Sequence, residues 1–171
     1  MLVVHRLAPG GHRYYLSAVA PGGGEAPARG ETPGRWLGTG AAARGLKGEV
    51  SPRDLRSVLP TGRPRVPGFD LTFAAPKSVS VLHGLGSDEV AAAVRRAHDR
   101  GVEAGVAYLE RHACAVRRDG VPVDGGGLVV AAFRHRVSRA DDPHLHTHAL
   151  VANLAQTPNG EWRALFTPLL Y

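Results

Sequence analysis

The sequence predicts an α+β fold: a mainly antiparallel sheet with helices packed on one face. Three observations carry that reading. Leu128 to Arg136 and Pro143 to Leu154 are strand-like runs joined by a short polar turn, Ser138 to Asp142. Thr157-Pro158-Asn159-Gly160 is a hairpin signal ahead of Trp162-Arg163-Ala164-Leu165-Phe166. Ser87-Asp88-Glu89 opens the clearest helix, with Val90, Val94, Ala97, Val102, Val106 and Leu109 near one face.

The remaining elements follow in order. Leu2, Val3 and Val4 read as a short strand, and Tyr14 to Ala20 as one or two helical turns. Pro21 to Arg35 is rich in Gly and Pro and reads as loop. Ala41 to Leu46 is a short helix ending at Lys47-Gly48. Ser51-Pro52-Arg53-Asp54 places Ser at an N-cap and Pro at the first helical position, and Leu55, Val58 and Leu59 supply an apolar stripe. Gly62 to Gly68 is a second loop, and Phe69 to Phe73 a strand. Pro76 to Leu82 turns into a helix or buried segment, and Asp119 to Gly127 is a Gly-rich turn region.

Bulk properties narrow the function. The 171 residues suffice for one domain with a real core, and 43% hydrophobic and 21% charged content is ordinary for a globular chain. The formal charge of +6 and pI near 10.2 favour a polyanionic partner, nucleic acid first. Lysine occurs only at Lys47 and Lys77, so the charge is nearly all arginine and can also reflect biased coding composition. Cys114 alone excludes an internal disulfide framework and fits a reducing compartment. No run approaches about 18 apolar residues, so no membrane insertion is expected. The apolar start of the chain is too short for a signal peptide, and a bacterial cytoplasmic location is the default.

The chemistry concentrates in Asp142-Pro143-His144-Leu145-His146-Thr147-His148. On a strand, alternate residues share a face, so up to three imidazoles stand in one row. Neutral imidazole is the commonest protein metal ligand. If the preceding strand pairs antiparallel, His135 faces His146 and His148. Three nitrogen ligands leave metal positions open, which marks a catalytic site, and the lack of a Cys pair argues against a zinc finger. Such a site accepts Zn²⁺, or Mg²⁺ or Mn²⁺ when phosphate oxygens complete the shell. His144 either extends the row or faces solvent. His98 and His112, on the long helix, read as surface or satisfied residues.

A metal that binds phosphate calls for a nucleophile. Tyr14-Tyr15 is the candidate, although two adjacent tyrosines equally suit core packing or a surface aromatic pair. A phenol titrates near pH 10 and needs a base, a carboxylate or an imidazole. Asp70, between apolar residues on a strand, would orient a metal-bound histidine, help deprotonate a tyrosine, or simply face outward. Ala75-Pro76-Lys77-Ser78-Val79-Ser80 offers a lysine and hydroxyls suited to phosphate.

These residues together resemble a known family. Tyr14-Tyr15, Pro33-Gly34-Arg35-Trp36 with Gly38 and Gly40, Gly45-Leu46-Lys47-Gly48-Glu49-Val50, Gly68-Phe69-Asp70-Leu71-Thr72-Phe73-Ala74-Ala75-Pro76-Lys77-Ser78-Val79-Ser80, and Phe133-Arg134-His135 through His148 run in the order of MobF-type (TrwC/TraI-like) conjugative relaxases. The resemblance implies a palm-like fold of the HUH-endonuclease type. It implies a site- and strand-specific DNA transesterase acting at an origin of transfer, on a hairpin and adjacent single strand. A tyrosine would form a 5′-phosphotyrosyl link and release a 3′-hydroxyl, reversibly. By the same resemblance His135, His146 and His148 hold a divalent metal, Asp70 is the acid beside them, Tyr14 is the nucleophile with Tyr15 as neighbour or substitute, and Arg139 lies near the DNA; Lys77, on its own chemistry, is a further candidate DNA contact. Relaxosome and conjugation-machinery proteins are the implied partners.

Some members carry a second tyrosine pair downstream, whereas Gly23-Gly24-Glu25-Ala26-Pro27-Ala28 holds none here. The expectation is one relaxase domain over 1–171, incomplete at its C-terminus and without a helicase domain. Two rivals differ in chemistry: a metal-dependent phosphodiesterase using water, and a relaxase remnant that binds single-stranded DNA without cleaving it.

Overall fold

The computed structural model describes residues 1–8, 10–11, 14–15, 33–59, 66–138 and 140–170. In chain order the elements are β1 (Leu2–Arg6), β2 (Arg35–Leu37), α1 (Thr39–Ala43), α2 (Pro52–Val58), β3 (Gly68–Ala74), α3 (Lys77–Leu85), α4 (Asp88–Ala113), β4 (Ala115–Arg118), β5 (Val121–Asp124), β6 (Val130–Val137), β7 (Pro143–Ala152), β8 (Ala155–Gln156) and β9 (Trp162–Arg163), then a 3₁₀ turn at Thr167–Leu170. Five strands form one antiparallel sheet in the order β1-β3-β7-β6-β2. The α+β architecture is the one the sequence predicts.

Local signals set the helices. Ser51 caps α2 by accepting from the Asp54 amide, with Pro52 following, and Ser87 caps α4 at the Val90 amide. Tyr14 and Tyr15 are helical, while the remainder of that expected helix and most of the loop to Arg35 lie outside the described residues, as do residues 60–65 of the second loop. The hairpin of β8 and β9 forms, but with strands of two residues each rather than a long return strand. The Gly-rich region after α4 was expected as turn alone. It instead holds the β4–β5 hairpin, closed at Asp119-Gly120, both at positive φ (52° and 83°). That pair is a common hairpin-turn dipeptide.

Strand alternation separates two cores. On one face Phe69, Leu71, Val130, Ala149 and Val151 meet Val106 and Ala113 of α4. On the other, Phe133, Leu150 and Ala152 meet Leu55, Val58 and Leu59 together with Leu7, Tyr15 and Trp36. Full burial of side chains such as Phe69, Leu71 and Leu150 contributes roughly 1.5–3 kcal/mol each. The long helices thus cover one face as expected. Among the described residues, α2 roofs part of the second face, and a cleft lies at the end where β6 and β7 carry histidine.

Polar ties fix α4 to the sheet. Glu110 Oε1 accepts from the Thr39 amide (2.7 Å), the Thr39 hydroxyl (2.9 Å) and the Leu128 amide (2.9 Å). Asp99 binds Arg134 of β6 at 2.5 Å, and Glu103 pairs with Arg35 of β2. The backbone around Glu110 is close-packed: a Cβ on Gly127 (φ 107°) would sit 1.9 Å from Thr39 Oγ1.

Candidate active site

The β6–β7 register decides the site. His135 stands opposite His146, Phe133 opposite His148, and the pairing shifts between His135 and Val137. Alternation along β7 then puts His144, His146 and His148 on the face of His135. The rings of His135, His146 and His148 form a triangle with centroid separations of 5.2, 5.1 and 5.4 Å. Three imidazoles bound tetrahedrally at Zn–N of about 2.0–2.1 Å have centroids about 5 Å apart. The spacing therefore fits a shared cation. Among the described residues no group of three or more His, Cys, Asp or Glu already stands in a metal-holding arrangement.

The outer edges of two rings are already engaged. Both oxygens of Asp70 lie 2.9 Å from His148 Nδ1, and Thr72 Oγ1 lies at 3.3 Å. His146 Nδ1 lies 2.8 Å from the His144 carbonyl oxygen. A carboxylate and a carbonyl accept, so Nδ1 carries a proton in each ring, and in the neutral form Nε2 is the nitrogen left to ligate. Metal-binding histidines usually show this arrangement. Burial above all pushes the His146 imidazole down from 6.5 to about 4; its bond to His144 opposes that shift, and the His148, His135 and His144 rings add to it. His146 is therefore neutral at physiological pH, the form that ligates.

Asp70 also receives the Tyr15 hydroxyl, 2.9 Å from Oδ2. Tyr15 is 6% exposed and packs on Phe133 (5.3 Å) and His148 (5.5 Å). Tyr14 stands edge-on to it at 5.2 Å and is 65% exposed. One tyrosine is thus built into the core and the other stands at the surface. Both line a cleft of about 590 Å³ with Asp70, His135, His144, His146 and His148.

His144 extends the row: its ring lies 4.6 Å from that of His146 in the same cleft. Lys77 is exposed and donates to the Pro143 carbonyl at 3.1 Å, away from the cleft lining. Arg139 lies outside the described residues. His98 is a satisfied residue, bonded to Thr147 Oγ1 at 2.9 Å, and His112 packs against Tyr108 with centroids 4.3 Å apart and ring planes tilted by 43°. Cys114 is buried, and burial raises its thiol, which suits a packing role. Ser138 and Asp141 also line the cleft. In the sequence they are turn residues, and their place between two histidine strands is the signal that points to them.

A family model described as TrwC relaxase matches residues 8–171. The chain belongs to the TrwC relaxase family. This TrwC-family chain is 42% and 43% identical, over 148 and 149 residues, to two proteins called multifunctional conjugation protein TraI, from Escherichia coli and its strain K12. Each match covers 77% of this chain and 8% of the relative, so the chain spans a small part of those proteins. Among solved structures it resembles conjugative relaxase TrwC in complex with oriT DNA in a metal-bound form, with TM-score 0.78 and 31% identity over 99% of this chain and 63% of that one. A copper-bound TrwC–oriT complex matches at TM-score 0.77 and 33% identity, covering 97% of this chain and 62% of the other. TrwC with a 27-mer DNA comprising the recognition hairpin and the cleavage site matches at TM-score 0.75 and 32% identity, covering 98% and 61%.

Proposed function

We propose that this chain nicks and rejoins one DNA strand at the origin of transfer of a plasmid or conjugative element, by metal-dependent tyrosine transesterification. The observation that carries the reading is the shared cleft: a tyrosine pair, a carboxylate and three closely spaced imidazoles, in a chain of the TrwC family. His135, His146 and His148 would hold a divalent ion, Mg²⁺, Mn²⁺ or Zn²⁺. Once bound, the ion polarises the scissile phosphodiester.

Tyr14 is the attacking residue in this reading, because its exposed ring can meet a DNA phosphate without leaving the core. Its oxygen bonds to phosphorus as the bond to the 3′ oxygen breaks. The phenolic proton passes to a base, and Asp70 is the carboxylate at this tyrosine pair. The departing 3′ oxygen takes up a proton and becomes a hydroxyl. The reverse attack of that hydroxyl on the phosphotyrosine rejoins the strand. Asp70 also fixes the His148 ring. Lys77 and Arg139 contact DNA phosphates, and relaxosome proteins are partners in the same reading. Among the described residues no helix is long and apolar enough to cross a membrane.

A second reading makes Tyr15 the nucleophile, on the strength of its hydrogen bond to Asp70. One experiment separates them. Single-stranded oligonucleotides tiling the cognate origin of transfer are incubated with the chain and Mn²⁺, and covalent adducts are resolved by denaturing electrophoresis. Tyr14→Phe abolishes the adduct and Tyr15→Phe leaves it. Loss with Tyr15→Phe alone favours the second reading, and survival through both changes overturns the tyrosine assignment. Cleavage to a free 5′-phosphate without adduct indicates a water-using phosphodiesterase. Binding without cleavage in any metal indicates a non-catalytic remnant.

A further inference from the structure

The helix face of β7 carries a device that the cleft chemistry does not use. Leu145 and Thr147 flank His146 in sequence and point away from the cleft. Each is held there by a polar side chain from a different helix. Ser80 Oγ of α3, fully buried, accepts from the Leu145 amide at 3.0 Å. His98 Nε2 of α4 lies 2.9 Å from Thr147 Oγ1. Thr147 is 3% exposed, so this contact lies in the protein interior.

The Leu145 amide needs an outside partner for a local reason. Strand β3 ends at Ala74, opposite His146, and Pro76 follows. One more ladder bond runs from the Ala75 amide to the Leu145 carbonyl at 3.0 Å, and the chain then turns into α3, leaving the Leu145 amide to a side-chain acceptor. Ser80 fills that gap and also donates to the Pro76 carbonyl at 3.2 Å. Residues singled out in the sequence for phosphate binding thus include one that grips the histidine strand.

We propose that Ser80 and His98 are positioning residues for His146. They hold the strand on either side of it so that its ring meets those of His135 and His148. This rests on the reading that the three histidines bind a cation. The consequence follows from sheet geometry: small shifts of β7 translate directly into the aim of side chains on its far face.

The test uses the whole chain and cobalt(II) alone, followed by visible d–d absorption, which reports ligand number and geometry. His98→Leu and Ser80→Ala are expected to weaken Co²⁺ binding roughly tenfold, in line with other outer contacts to metal ligands, and to alter the absorption spectrum. His98→Gln and Ser80→Thr, which restore a hydrogen-bonding group, are expected to recover much of both. Thr147→Val removes one hydroxyl at nearly constant volume and serves if the other variants do not fold; it should behave like His98→Leu, with Thr147→Ser as its rescue. Wild-type affinity and spectrum in folded His98→Leu, Ser80→Ala and Thr147→Val would overturn the proposal. Absence of Co²⁺ binding by the unaltered chain, or binding indifferent to His146→Ala, strikes the three-histidine reading instead.

Discussion

The carboxylate of Asp70 faces the Nδ1 edge of His148 with both oxygens, each at 2.9 Å. This contact comes from strand register, since Thr72 and not Asp70 is the direct partner of His148 across β3 and β7. The carboxylate reaches diagonally along the same face, a distance long side chains span.

Replacing Asp70 with Asn is expected to reduce divalent-metal affinity about 10- to 100-fold, because an amide lacks the charge that fixes the ring. Isothermal titration with Mn²⁺ measures this. Equal affinity in the Asn variant would show that the carboxylate does not orient His148 for ligation.

Tyr15→Phe keeps the ring packed on Phe133 and His148 and removes the hydroxyl bonded to Asp70. The expected loss of stability is about 1 kcal/mol. Tyr15→Ala empties a core position and should lose about 3–5 kcal/mol. Urea unfolding of both variants checks the order; equal losses would mean that the ring contributes no packing.

The metal-free chain should lose stability in mild acid. Burial is the leading cause of lowered imidazole pKa at His146, His98 and His83 alike. The unfolded chain therefore takes up protons at a higher pH than the folded one. The stabilising contribution of these rings is complete above about pH 6.5 and declines toward the His146 value of about 4. Melting temperatures in EDTA should fall steadily from pH 7.5 to 4.5, and a flat profile would contradict the burial of these rings.

Glu110→Ala removes the acceptor for the Thr39 and Leu128 amides. A loss of roughly 2 kcal/mol is expected, with a smaller loss for Glu110→Gln, which keeps an oxygen in place. Thermal denaturation tests it, and tolerance of Ala would mean that water replaces the carboxylate.

The legible parts of this molecule are those written in short-range periodicity. The His146-Thr147-His148 alternation announced a strand with an imidazole face, and Ser51-Pro52 and Ser87 announced helix starts that the structure contains. The pairing of His135 with His146 was legible because a short turn joins their strands. Long-range partners were not. Nothing near Glu110 indicates that it meets Thr39, 71 positions earlier. His98 read as satisfied, and so it is, yet its partner on the histidine strand could not be inferred from its own helix. Asp119-Gly120 was a readable hairpin signal hidden by the glycines after it. The family resemblance located Asp70 beside the histidines, and the hydrogen bonds specify which ring it holds.

From His144 to His148 the even positions of β7 face the cleft and the odd ones the helices, whereas beyond Ala149 both faces are buried. Losing a single codon upstream of His146 within that strand would swap them, turning imidazoles inward and Leu145 or Thr147 toward the solvent. Substitutions can be absorbed gradually along this segment; length changes are forbidden, so gene drift here should proceed by replacement and almost never by insertion or deletion.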